Sequence, residues 1–354
     1  MRPFAYNGHA YRVLFGSGTI SKLPSEIERL GLARVLVLAT PEQAGSAHAL
    51  AARLAPRTVG VFAAARMHTP VEITEQAMAQ VMAQRVDGLV AVGGGSTTGL
   101  AKAIALRTDL PQLVVPTTYA GSEMTPILGE TQNGRKVTQR SPKVLPEVVI
   151  YDVDLTLTLP AGLSMTSGMN AIAHAVEAAY AEDRNPVISV MAVEGVRAMF
   201  DALPAIRAAP QDVDARSRAL YGAWLCGICL GSVGMALHHK LCHTLGGTFD
   251  LPHAETHTVV LPHAVAYNRL AAAEELAAFE RALGVQDLSK ALYDLAGDVG
   301  APRALQALGM PESGVAKAAE LAMSNPYWNP RPLERDALLG LLERAYAGLP
   351  PQAA

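Results

Sequence analysis

Residues 237–257, LHHKLCHTLGGTFDLPHAETH, bring His239, His243 and His253 close together in the chain. A helical first half puts His239 and His243 four residues apart, so both imidazoles leave one face about one turn apart. The same spacing predicts that His253 arrives on the loop after that helix. Upstream, GMNAIAHAVEA repeats the device, with Asn170 and His174 four apart on a second predicted helix. Nitrogen and oxygen groups from two helices can therefore converge on one point. Imidazoles so grouped bind a metal ion, move protons or donate hydrogen bonds to a developing charge.

A second chemistry is written in AVGGGSTTGLAKAIAL, residues 91–106, where three glycines and a serine stand between a predicted strand and a predicted helix. Glycines let the backbone approach a pyrophosphate, and a helix N-terminus offers free N–H groups and the positive end of its dipole. Gly94, Gly95 and Ser96 are thus predicted to face phosphates. Gly16 and Gly18, in FGSGTISKL, form another GxG after a short strand, but no acidic strand end follows at the spacing of a dinucleotide fingerprint. That pair reads as a turn into the first helix. The cluster VVPTTYAGSEMTP adds Thr117, Thr118, Ser122 and Thr125, hydroxyls suited to a phosphate or ribose. At the end of the second predicted strand stand Ala39, Thr40, Pro41 and Glu42, with no arginine to receive a 2′-phosphate. NADH is favoured over NADPH, which the sequence does not bar.

These groups need a scaffold of two kinds. Runs 34–38, 58–62, 88–92 and 112–115 read as buried Val-rich strands, and 21–30, 43–54, 71–84 and 98–108 carry helical periodicity between them. Strand and helix in alternation predict a doubly wound parallel sheet. Beyond Asp154 the pattern turns to helix-spaced Ala, Leu and Met, so an all-helical domain is predicted. The domains read as 1–157, α/β and dinucleotide-binding, and 158–354, helical and catalytic.

With 354 residues, half of them apolar, and a net charge near −3, the chain can bury two cores and gives no electrostatic reason to bind nucleic acid. The N-terminal sequence lacks the apolar stretch of a secretion signal, and no run of about 18 apolar residues suggests a membrane span. A cytoplasmic protein is expected. Three cysteines, Cys226, Cys229 and Cys242, do not make a disulfide framework. Cys226 and Cys229 form a CxxC in an apolar stretch, which reads as thiols packed in a helix, with redox or metal chemistry as the alternative.

Taken in order, GGGSTTGLAKAIA, PTTYAGSEMTPILGET, GRKVT, PKVLPEVVIYDVDLTLTLP, MNAIAHAVEA, HHKLCHTLGGTFDLPHAETH and NPYWNPRP cover nearly the whole chain. The set resembles the maleylacetate reductases, a metal-independent branch of the iron-type alcohol dehydrogenases. The resemblance implies a dehydroquinate-synthase-like fold, a homodimer, and NADH-linked reduction of maleylacetate, a small dicarboxylate, to 3-oxoadipate in aromatic degradation. In metal-dependent relatives an aspartate and three histidines hold a divalent ion. Here the aspartate position reads Asn170, and another aspartate position reads Gly99. Three imidazoles and an amide bring no anionic ligand, so affinity for an ion should fall. No metal ligand is assigned.

The substrate fits that expectation. Its double bond is conjugated to the 4-ketone, so hydride can add at C2 while charge gathers on the ketone oxygen, and donors can stabilise an enolate without a Lewis acid. By analogy His243 would orient substrate or relay the proton to C3, and His253 and His239 would donate to the enolate oxygen. His174 and Tyr327 complete the catalytic candidates. Asn170, Lys240, His257 and Arg331 are the candidates for holding substrate. Thr40, Gly94, Gly95, Ser96, Thr117, Thr118, Ser122, Thr125 and Lys136 are those for the cofactor. A metal-dependent alcohol dehydrogenase of the same fold is the alternative, and it predicts activity lost on chelation.

Overall fold

The structure, a computed structural model, describes residues 3–132, 135–324 and 327–352. The chain divides into two compact units: Gly8–Leu159, and Pro160–Ala354 together with Met1–Asn7. In the first, β1 (Arg12–Phe15), β2 (Val35–Leu38), β3 (Thr58–Phe62), β4 (Gly88–Gly93), β5 (Gln112–Pro116) and β8 (Val148–Tyr151) form a parallel sheet in the order β1-β8-β5-β4-β2-β3. Side chains alternate across it. Val35, Val37, Val90, Leu113 and Val115 pack on one face with Leu23 and Ile27 of α1 (Leu23–Arg29) and Ala47 of α2 (Ala44–Arg53). Leu36, Leu38, Leu89 and Val114 pack on the other with Ile73 and Ala77 of α3 (Val71–Ala83) and Leu100 and Ile104 of α4 (Gly95–Thr108). Helices on both faces explain why these strands read as continuous apolar runs.

Two elements escaped the sequence reading. One is β8, four residues embedded in a Pro-rich stretch. The other is the antiparallel hairpin of β6 (Ile127–Gln132) and β7 (Arg135–Arg140). In β6 an inward position is a carboxylate, Glu130, paired with Arg107 at 3.0 Å. A buried acid in place of an apolar residue breaks the alternation that marks a strand.

From β2 the chain moves outward to β3 and then returns to place β4 on the other side of β2. Strand order therefore reverses between β2 and β4, and ligands of such sheets bind beyond the carboxyl ends of the strands at that reversal. The loops starting at Ala39 and Gly94 leave the sheet there.

The second unit is built from α5 (Ala161–Ala179), α6 (Pro186–Ala208), α7 (Val213–Ser232), α8 (Leu237–Phe249), α9 (His253–Asn268), α10 (Ala273–Leu283), α11 (Leu288–Asp298), α12 (Gly314–Ser324) and α13 (Arg335–Ala347). His253 is not on a loop, as the spacing predicts; it opens α9. Asp250, at φ 54°, ends α8 in the left-handed conformation, and only Leu251 and Pro252 remain before the next helix. Among the described residues no single helix is long and apolar enough to cross a membrane.

Cys226 and Cys229 are free, buried thiols on α7, as packed-helix thiols should be. The backbones of α6 and α7 approach closely there. A Cβ on Gly222 would lie 3.0 Å from the Gly195 carbonyl oxygen, and one on Gly195 would lie 2.9 Å from Cys226 Sγ. Gly222→Val should therefore overpack the crossing and lose about 1–3 kcal/mol in urea unfolding. An unchanged midpoint would contradict the close approach.

Candidate active site

In the sheet unit, Gly94 is the N-cap of α4, and no side chain caps that helix. The first helical bond runs from Thr98 N to Gly94 O at 3.1 Å, so the N–H groups of Gly95, Ser96 and Thr97 lack helical acceptors. Free amides at a positive dipole end make an anion site. Packing behind the loop is tight. A Cβ on Gly93 would lie 2.4 Å from Thr97 Oγ1 and one on Gly94 2.9 Å from Thr118 Cγ2, whereas one on Gly95 meets only Ala120 Cβ at 3.8 Å. Thr97 Oγ1 and Thr118 Oγ1 are buried without hydrogen-bond partners. Such orphaned hydroxyls fit a bound polar ligand better than a closed core.

The neighbouring loops are braced to this one. Gln43 donates from Nε2 to Thr117 Oγ1 at 3.2 Å, tying the segment after β2 to that after β5. Thr40 stands at the start of the short turn after β2 without a side-chain cap, and its side-chain hydrogen bond holds the Glu42 carboxyl below its usual range. Ser122 and Thr125 lie around a buried ammonium: Lys102 donates to Ser122 O at 2.5 Å, Thr125 O at 2.7 Å, Thr125 Oγ1 at 2.9 Å and Ile127 O at 2.9 Å. Burial lowers the Lys102 pKa to about 7, against the opposing pull of Glu123. The side chain of Lys136 lies outside the described residues. The other GxG differs in kind, because Asp152 accepts from Gly18 N at 3.0 Å and Ile20 N at 2.8 Å. A carboxylate already occupies the place an anion would take.

The helical unit gathers six imidazoles. His174 Nδ1 lies 2.9 Å from His239 Nε2, and His239 Nδ1 lies 2.7 Å from Glu177 Oε2. Glu177, fully buried on α5, also accepts from Ala236 N at 3.0 Å, His238 N at 2.7 Å and His239 N at 3.3 Å. It thereby caps α8, whose own N-cap residue, Ala236, has no side chain to do so. An ionised carboxylate only accepts, so the His239 proton sits on Nδ1 and Nε2 turns its lone pair toward His174. The ring of His257 stands 4.2 Å from that of His253, 5.1 Å from that of His239 and 4.8 Å from that of His238. His257 Nδ1 is 3.0 Å from His238 Nε2, and burial keeps both rings well below the usual histidine pKa, hence neutral. His243, its ring 6.2 Å from that of His239, is exposed, and His253 is half-buried. Asn170 Oδ1 is buried without a partner.

The remaining candidates separate. Lys240 places its ammonium 5.4 Å over the Tyr327 ring, whose hydroxyl is buried without a partner and pushed up in pKa by that burial. Arg331 lies elsewhere: its guanidinium stacks 4.3 Å over Tyr267 and pairs with Glu334 at 3.1 Å.

Residues 10–153 match the family described as iron-containing alcohol dehydrogenase, and residues 164–346 match the C-terminal part of the Fe-containing alcohol dehydrogenase family. The maleylacetate reductase of Rhizobium sp. (strain MTP-10005) is 58% identical over 352 residues, 99% of this chain and 100% of that one. That of Sphingobium indicum is 56% identical over 348 residues, 98% of this chain and 99% of the relative. The crystal structure of maleylacetate reductase from Agrobacterium tumefaciens superposes with a TM-score of 0.96 at 57% identity, covering 99% of this chain and 100% of the other. The chain belongs to the maleylacetate reductase family, within the iron-containing alcohol dehydrogenases.

The wider family's name implies a metal ion, and the side chains that would face it here are Asn170, His174, His239 and His253. Three imidazoles can hold a divalent cation, but this donor set would hold it more weakly than one that includes a carboxylate. The set carries no anion, His174 and His239 share one proton across 2.9 Å, and the buried carboxylate nearby is committed to three amides and His239 Nδ1. Within the cluster, His174 and His239 are hydrogen-bonded to each other, and His239 also to Glu177.

Four residues that shape these sites were missed: Glu177, His238, Gln43 and Lys102. Glu177 had a signal, since Asn170, His174 and Glu177 follow the i, i+4, i+7 spacing of one helical face. Gln43 and Lys102 act through loops distant in sequence and had none. Each buried donor left unsatisfied costs about 1–3 kcal/mol, so Glu177→Ala should lose at least about 3 kcal/mol in urea unfolding and Glu177→Gln clearly less, because its amide oxygen still accepts. Equal, small losses in both variants would remove Glu177 as the cap of α8.

Proposed function

We propose that this protein reduces the carbon–carbon double bond of maleylacetate with NADH, giving 3-oxoadipate in aromatic degradation, without a metal ion. Membership of the maleylacetate reductases over essentially the whole chain carries the substrate assignment. Support for the cofactor comes from the uncapped N-terminus of α4 for the pyrophosphate and from Glu42, a carboxylate where a 2′-phosphate would be repelled. A cytoplasmic homodimer belongs to the same reading.

Hydride added at C2 leaves negative charge on the ketone oxygen. His253 opens α9, so the free amides and positive dipole end of that helix support its imidazole in stabilising an enolate. Exposed His243 delivers the proton to C3. His239 has both nitrogens engaged, by Glu177 and His174, so in this reading it positions His174 rather than touching substrate. Lys240 and Tyr327 hold a carboxylate. Arg331 is already paired with Glu334 and braces the loop that carries Tyr327.

Exhaustively chelated protein should oxidise NADH on addition of maleylacetate, and activity that vanished on chelation and returned with a stoichiometric ion would end the metal-free reading. His243→Ala and His253→Ala should each lower kcat about a hundredfold or more with NADH affinity retained. Near-normal turnover in either variant would take that residue out of the mechanism. Gly95→Val should raise KM for NADH with the fold intact, since Gly95 has room behind it and a side chain in front would block the backbone. Unchanged KM would move the phosphate site elsewhere.

A further inference from the structure

Cys242 is not needed by the reaction, yet it completes a different constellation. His238 and Cys242 stand four apart on α8, and His257 comes from α9; all three are buried, and one ligand atom from each lies within 4.8 Å of the others. We propose that His238, Cys242 and His257 form a second, inhibitory site for a soft or borderline cation such as Zn²⁺, separate from the Asn170 cluster. The separations suit it: His238 Nε2 is 3.0 Å from His257 Nδ1 and 3.7 Å from Cys242 Sγ. A tetrahedral ion with ordinary zinc bond lengths sets such pairs about 3.3 and 3.6 Å apart, so small ring rotations suffice. His257 Nε2 is buried with no partner, which leaves that ring free of a competing bond on its second nitrogen.

The donor chemistry separates the two places. At the Asn170 cluster every ligand is neutral, whereas binding here displaces the thiol proton to solvent and creates a thiolate, the anionic ligand that the other cluster lacks. Occupancy would break the His238–His257 hydrogen bond and pull on a ring that packs 4.2 Å from His253 and 5.1 Å from His239. Inhibition follows because those two imidazoles belong to the proposed catalytic cluster.

Cobalt(II) added to the full-length, chelator-treated protein is the probe, because a cobalt–thiolate bond has an intense near-ultraviolet charge-transfer band. One equivalent should give the band, and Zn²⁺ should abolish it by displacement. Cys242→Ser and Cys242→Ala should lack the band while keeping basal activity and resisting zinc inhibition; Asn170→Ala should keep it. The readout is spectroscopic, so it stands whatever the substrate proves to be. No band in the wild type, a band surviving in folded Cys242 variants, or a band lost in Asn170→Ala would overturn the proposal.

Discussion

The carboxylate of Glu177 is the interaction on which the helical unit's chemistry depends. It is fully buried, and its charge is balanced by three amides at the start of α8 and by His239 Nδ1. A buried carboxylate without such partners would be driven to protonate. The same contacts do three things at once: they cap α8, fix which nitrogen of His239 carries the proton, and aim its lone pair at His174. Asn170 stands on the same face of α5, two turns before Glu177, and adds no second carboxylate there.

The two units handle anions by different means. The sheet unit offers backbone amides and a helix dipole at the reversal between β2 and β4, with hydroxyls rather than charged side chains around them. Such groups accept a pyrophosphate without a buried cation needing its own partner. Lys102, the buried ammonium there, is spent on holding the Ser122–Thr125 loop against α4. The helical unit instead gathers imidazoles, and in the proposed reaction these donate to the enolate.

Legibility in the sequence followed the physics of each element. Val-rich β2, β4 and β5 are buried and announce themselves, and edge strand β3, only half-buried, keeps the same Val-rich pattern; β6 carries buried Glu130 and does not announce itself. The glycine loop was readable because three glycines exceed what a turn requires, and the structure shows why for two of them: Gly93 and Gly94 have no room for a side chain, while a Cβ on Gly95 would make only an ordinary contact with Ala120. Histidine spacing on α8 gave His239 and His243, yet it did not separate His238, whose neighbour in space, His257, depends on where α9 begins. Its charge and its place in NPYWNPRP make Arg331 a candidate substrate ligand; the structure adds its stacking on Tyr267, distant in sequence, and its pairing with Glu334, three residues on.

Glu177 fixes the His239 tautomer and so sets the direction of the hydrogen bond between His239 and His174. Nitrogen-15 NMR of histidine-labelled protein, with His239 assigned from a His239→Gln variant, reads that tautomer directly. The account predicts a protonated Nδ1 and an unprotonated Nε2 for His239 in metal-free enzyme. A resonance pattern showing the proton on Nε2, with Nδ1 bare, would contradict it.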